Sequence, residues 1–232
     1  MPDLRDLNAE ELQTFLDEHG SALLEDEALL ILENRFCTPA IAQRIAQDQR
    51  LTAYYSVRAA LVRNRATPQA HALKFVHYLY WRELLKFSTD TRISAAVRRA
   101  IDQQMLMRLP KITLGEKIAA ARACSRELIR ALLTDPNPRV FEALLVNPRL
   151  TEPDLVTHIS SNRASGPQLA AIAASPKWSY RRAIRRALVI NTDTPKAIVA
   201  SQVRHLTRRE MEEIAKHPQA SAYVKMCIRR LG

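Results

Sequence analysis

Glycine is scarce in this chain. Four occur in 232 residues, too few for a glycine-rich phosphate loop, and no nucleophile elbow is present. Long alternating runs of β-branched residues are missing as well, which removes the raw material of a sheet. The three cysteines, Cys37, Cys124 and Cys227, lie far apart with neither Cys-x-x-Cys nor Cys/His ligand spacing. They read as reduced core thiols, not as a disulfide frame or a metal site. No basic segment precedes an apolar one at the amino end, and no run approaches the ~18 apolar residues of a membrane span. A His-Glu-x-x-His motif and a nucleophile paired with its base are also missing. The expectation is a soluble, cytoplasmic, non-enzymatic protein with no cofactor, no metal, no membrane partner and no small-molecule substrate. Its oligomeric state is left open.

What the chain has in quantity is apolar residues, at 47%, set at helical spacing. In RVFEALLVNPRLTEPD, residues 139–154, Val140, Ala143 and Leu144 have the i, i+3, i+4 spacing of a buried helix stripe. Asn147 is expected to end that helix in a left-handed conformation and Pro148 to stop it. Thr151 and Asp154 then form a capping box for the next helix. The same succession recurs as Leu30, Ile31, Asn34, Thr38 and Pro39, as Ala60, Leu61, Asn64, Thr67 and Pro68, and as Ala187, Leu188, Asn191, Thr194 and Pro195. In the Thr-Pro copies threonine is expected at the cap with proline first in the helix. A degenerate copy is read at Val97 to Gln104, with Gln104 in place of the asparagine.

The anchors at 34, 64, 104, 147 and 191 are spaced 30, 40, 43 and 44 residues apart. Periods of roughly 40 to 47 made only of helices point to a solenoid. Further capping boxes are read at Asn8 to Glu11, Thr113 to Glu116, Ser165 to Gln168 and Thr207 to Glu210. On these motifs the chain from about Ala28 onward resembles the HEAT and armadillo class of α-solenoids and the leucine-rich-repeat variant proteins of bacteria. RLPKITLGEKIAAARA together with ALLVNPRLTEPDL resembles a group of bacterial HEAT-like proteins. The resemblance implies an all-α, right-handed solenoid. Some leucine-rich-repeat variant proteins carry a cysteine-ligated iron–sulfur cluster at the amino end, and the cysteines here do not match that pattern. Residues 1–33 are read as acidic capping helices continuous with a basic array over 34–232, as one domain.

The net charge of +11 is unevenly spread. Residues 1–33 hold ten of the 24 acidic residues and one of the 35 basic ones, for −9, which leaves +20 for the remainder. Such a body attracts anionic partners. The acidic end reads either as a cap or as a gate folded against the basic surface. Six residues before three of the anchors stand Arg58, Arg98 and Arg185. Arg99 and Arg186 lie beside them, and Arg181, Arg182, Arg229 and Arg230 add to the density. That position is away from the apolar stripe, so the nine arginines are candidates for an exposed binding face for carboxylates or phosphates. The alternative is a solvated face paired to acids of the next repeat.

The aromatic segment HALKFVHYLYWRELLKF places Phe75, Tyr78 and Trp81 on one stripe, read as core packing, with base stacking as the minor alternative. His71 and His77 face different sides and make a poor metal pair. The leading functional reading is a scaffold that holds an acidic protein. The alternative is a nucleic-acid-binding module using the same face through phosphate contacts. A third reading resembles the alkylpurine DNA glycosylases built of HEAT-like repeats. Trp81, Trp178, Asp90 and Asp135 are available to it, but no motif matches residue by residue and no catalytic residue is assigned.

Overall fold

Helix starts are written locally, and the computed structural model, which describes residues 3–161 and 163–231, places them where side-chain oxygens can take the first free amides. Asn8 accepts from the Glu10 and Glu11 amides, and the Glu11 carboxylate accepts the Asn8 amide at 2.8 Å. Reciprocal capping boxes also open helices at Thr113/Glu116, Thr151/Asp154, Ser165/Gln168 and Thr207/Glu210. Thr38 caps with Pro39 first in the helix. Thr67 and Thr194 do not cap in this way. There the Thr amide closes a turn onto the anchor carbonyl, the helix begins one residue after the proline, and both hydroxyls are buried without a partner.

Every regular element among the described residues is helical. The chain divides into two compact units, Met1–Lys111 and Ile112–Gly232. The first holds α1 (Ala9–His19), α2 (Glu25–Glu33), α3 (Pro39–Gln47), α4 (Tyr55–Arg63), α5 (Gln69–Val76), α6 (Trp81–Ser88) and α7 (Ala95–Arg108). The second holds α8 (Leu114–Ala123), α9 (Arg126–Leu132), α10 (Pro138–Leu145), α11 (Glu152–Ser160), α12 (Gly166–Ala174), α13 (Arg182–Ile190), α14 (Lys196–Val203), α15 (Arg208–Lys216) and α16 (Ala222–Arg229). No helix among the described residues is long and apolar enough to cross a membrane.

The asparagine anchors follow helix ends, and at three of the four the backbone is not left-handed. Asn34, Asn64 and Asn191 are extended, with φ of −65°, −73° and −66°. The work is done by the amide side chain. In all four copies Oδ1 accepts the amide two residues on, that of Phe36, Ala66, Arg149 or Asp193, closing a turn. Nδ2 then crosses to a neighbouring segment. Asn64 donates to Leu32 O at 2.6 Å, Asn147 to Ala121 O at 2.8 Å and Asn191 to Ile159 O at 2.6 Å. Asn34 donates to the carbonyls of Leu4, Arg5 and Leu7. Each asparagine thus turns the chain, and Asn64, Asn147 and Asn191 also supply a donor to a carbonyl near the end of an earlier helix, a group that is otherwise orphaned.

The bonds of Asn64, Asn147 and Asn191 link a helix to the one two before it. Packing follows the same rule in each unit: α2 lies on α4 and α5 on α7 in the first; α8 lies on α10, α10 on α12, α11 on α13, and α14 on α16 in the second. Other residue types make equivalent links. Arg50 donates to Leu23 O, Arg108 to Leu79 O and Trp178 Nε1 to Leu145 O, at 2.7, 2.6 and 2.8 Å. The structural step is therefore a helix pair. Helices α8, α10 and α12 begin at 114, 138 and 166, steps of 24 and 28 residues. The 43 and 44 residue anchor spacings do not measure it, because Asn147 and Asn191 follow helices three apart. Gln104 is no anchor either, since α7 continues through it to Arg108.

Residues 3–33 are built into the first unit. Leu12, Leu16, Leu23 and Ile31 are 0 or 1% exposed, and Arg44 pairs with Asp17. The acidic segment shares the core of this unit, because its apolar stripes have nowhere else to be buried.

Candidate functional site

The arginines singled out by position divide between the units and do several different jobs. Arg58, Arg98 and Arg185 are half-buried, and each sends Nε back to a carbonyl of the turn that precedes its own helix: Thr52 for Arg58, Ile93 at 3.2 Å for Arg98 and Ser179 at 2.9 Å for Arg185. Their regular placement is that of a clamp on the turn. Arg58 also lies over the Tyr78 ring at 4.5 Å. In the second unit Arg181 pairs with Glu152 at 2.8 Å, Arg182 with Glu210 at 2.5 Å and Arg186 with Glu213 at 2.9 Å. Arg99, Arg229 and Arg230 are exposed and carry no ion pair among the described residues.

The pairs of the second unit flank a shallow groove of about 560 Å³ between α11 and α13, floored by Val156, Ala183, Ala187 and Ile190. Arg182 and Arg186 line it while bonded to α15. Burial pushes the Glu210 carboxyl up, but hydrogen bonds from Arg182 and from the Thr207 amide and hydroxyl outweigh it and hold it at about 2. Trp178 is buried beneath Lys177 and Arg181, whose charges lie 4.6 and 5.0 Å from the ring centre. Asp135 is also buried, bonded to Lys117 at 3.0 Å.

The first unit has a larger groove, about 740 Å³, over α2, α4 and α6. Side chains show that these helices run parallel. At their amino ends Ser56 bonds Glu25, and the Tyr55 hydroxyl bonds Glu83 at 3.0 Å and accepts the Tyr80 amide at 3.1 Å. At their carboxyl ends Asn64 reaches Leu32 O, and Arg63 lies 3.8 Å from Asp90. Leu29, Leu32, Ala59, Ala60 and Phe87 supply an apolar lining, and Arg35, Arg63, Arg65, Lys86 and Arg92 supply the cations. Hydrogen bonds from Arg92 hold the Asp90 carboxyl at about 2, so this acid stays ionised between Arg92 and Arg63. Arg35, Arg65 and Lys86 are exposed and unpaired among the described residues.

None of these five cations was picked out from the sequence by distance to an anchor. A signal was present: Arg35 and Arg65 each directly follow an anchor, as Asn34-Arg35 and Asn64-Arg65. The aromatic segment splits. Phe75, Trp81 and Phe87 are core, whereas Tyr78 and Tyr80 are exposed, Tyr80 stacked on Tyr55 at 4.3 Å. No group of three or more His, Cys, Asp or Glu side chains able to hold a metal ion exists among the described residues. The three cysteines form no disulfide, Cys124 is buried against the Asn147 amide, and burial raises the Cys37 thiol. Comparison with models of known protein families, with curated proteins and with solved structures yields no match.

Proposed function

We propose that the chain is a non-enzymatic interaction scaffold, a right-handed HEAT/armadillo-like solenoid, that binds an acidic protein partner through basic surface. The observation that carries this reading is how the second unit spends its acids. It has 20 basic residues against ten acidic ones. Six of the ten, Asp135, Glu152, Asp154, Glu210, Glu212 and Glu213, are already paired within the unit. The remaining cationic excess has too few internal acids to meet it, and a charge of one sign on an extended surface favours encounter with anionic macromolecules.

The second reading, nucleic acid, is favoured by one feature of the first unit: exposed Tyr78 under the Arg58 guanidinium and exposed Tyr80 stacked on Tyr55, aromatic surface suited to base stacking. The test is binding of labelled polyglutamate, single-stranded DNA and duplex RNA to the full chain across a salt series. Polyglutamate held at physiological salt, with weaker binding to both nucleic acids, supports the protein reading. Nucleic acid bound more tightly, with a steep loss as salt rises, transfers it to the second. Absence of all three interactions ends both.

A further inference from the structure

From the groove of the first unit we infer that α2, α4 and α6 form a docking site for an extended acidic peptide that also carries aliphatic side chains. This rests on the reading of an acidic protein partner and narrows it to one place and one chemistry. The charge in the groove is polarised. At the carboxyl ends of the three parallel helices lie Arg35, Arg63, Arg65 and Arg92, which outnumber the two acids there, Glu33 on the lining and Asp90 between two of the arginines. Toward the amino ends the acids Glu25 and Glu83 are held by Ser56 and Tyr55. The lining between is apolar, with Leu29, Leu32, Ala59 and Phe87.

A nucleic-acid backbone is anionic along its whole length and would meet carboxylates at the end near Glu83. A peptide can place carboxylates against the arginines, aliphatic side chains on the lining, and amides or a cation near Glu83. Arg35 and Arg65 are the specific recognition elements, because they are exposed, line the groove and are not held by internal acids. Arginine forks suit carboxylates in two-point contacts. Cys37 also lines this groove, half-buried, and offers a built-in reporter of occupancy.

The experiment uses the full chain, a labelled twelve-residue peptide of alternating Glu and Leu, a polyglutamate of equal charge and a single-stranded DNA of equal charge. Wild type is expected to bind the Glu-Leu peptide about tenfold more tightly than either control, and R35E/R65E to lose at least about tenfold while melting like wild type. The peptide is also expected to slow iodoacetamide alkylation of Cys37 and not of Cys227, a reading on unaltered protein that does not depend on the variant folding. Peptide binding unchanged in R35E/R65E, or Cys37 unprotected, overturns the docking site. If R229E/R230E then abolishes binding, the scaffold reading survives without this groove. Equal binding of the DNA reassigns the groove to phosphate and overturns the peptide assignment. No binding of any acidic probe removes both proposals.

Discussion

The two units share one construction and differ in how they use charge. Asn64 in the first and Asn191 in the second make the same pair of bonds, and Arg58 and Arg185 make the same clamp. Yet Met1–Lys111 holds 15 basic and 14 acidic residues, whereas Ile112–Gly232 holds 20 and ten. In the nearly neutral unit, unpaired cations gather at the carboxyl ends of three parallel helices. In the strongly basic unit, the arginines that repeat most visibly are already tied to acids on neighbouring helices. Local charge density is therefore a poor guide to free charge. Residues that occupy equivalent positions in both units build the array, and residues that break the equivalence, such as Arg35 and Arg65, are the ones left available.

The comparison can be tested most severely at its ends. Deleting residues 1–33 removes Leu12, Leu16, Leu23 and Ile31 from the core, at about 1.5 to 3 kcal/mol of lost burial each. Loss of hydrogen-exchange protection across residues 41–63 is expected, and protection retained there would make the acidic segment a detachable arm. Truncation after Ala220 removes α16, in which Val224 is the buried residue, and should cost far less. At the anchors, Asn147→Val strands the Arg149 amide and the Ala121 carbonyl in a site with 0% exposure, at about 2 to 4 kcal/mol. Asn64→Val, at a half-buried position, should cost less in denaturant melts. Equal costs would mean that burial does not set the strength of the link.

Acid titration probes the Arg182–Glu210 pair of the second unit. Glu210 has a folded pKa of about 2 against an ordinary 4.5, so its contribution is fully present above pH ~4.5 and is lost as pH falls toward 2. Arg182→Met should raise that carboxyl, lower stability at neutral pH and flatten the pH dependence of melting between those limits. Melting curves of variant and wild type that stay parallel through this window would show that the pair is not coupled to folding. Smaller still, Arg185→Gln should cost about 1 kcal/mol, the net value of one hydrogen bond, and Arg58→Gln somewhat more, because it also loses the contact with the Tyr78 ring. Arg229→Glu with Arg230→Glu should leave stability within about 0.5 kcal/mol, as expected for exposed, unpaired residues.

Much of the local structure was legible. The five capping boxes, the helix ends near the true anchors and the all-α class follow from contacts within three or four residues, which spacing records. Asn34, Asn64 and Asn191 were found as helix ends, but their extended backbone departs from the left-handed conformation read at Asn147. A chain-reversing asparagine is visible in sequence, but its Nδ2 partner lies 26 to 32 residues away in the three helix-to-helix cases and has no local trace. The same distance hid the truth about Arg182 and Arg186, whose carboxylates lie 28 and 27 residues further on. Gln104 was misread because apolar spacing continues unbroken through the long α7, and nothing in that spacing says where a helix passes its neighbour.

By itself the sequence determined that this chain is helical, where most helices begin, and that its charge is divided between an acidic start and a basic remainder. Capping, turn closure and apolar periodicity are short-range effects, complete within one helix and its flanks. Only the tertiary structure decided the helix-pair step, the division into two units and which cations are left free. An ion pair or a cross-helix amide bond needs two side chains brought together by packing from separate helices. The register of that packing, not the identity of either residue, determines whether an arginine is held or exposed.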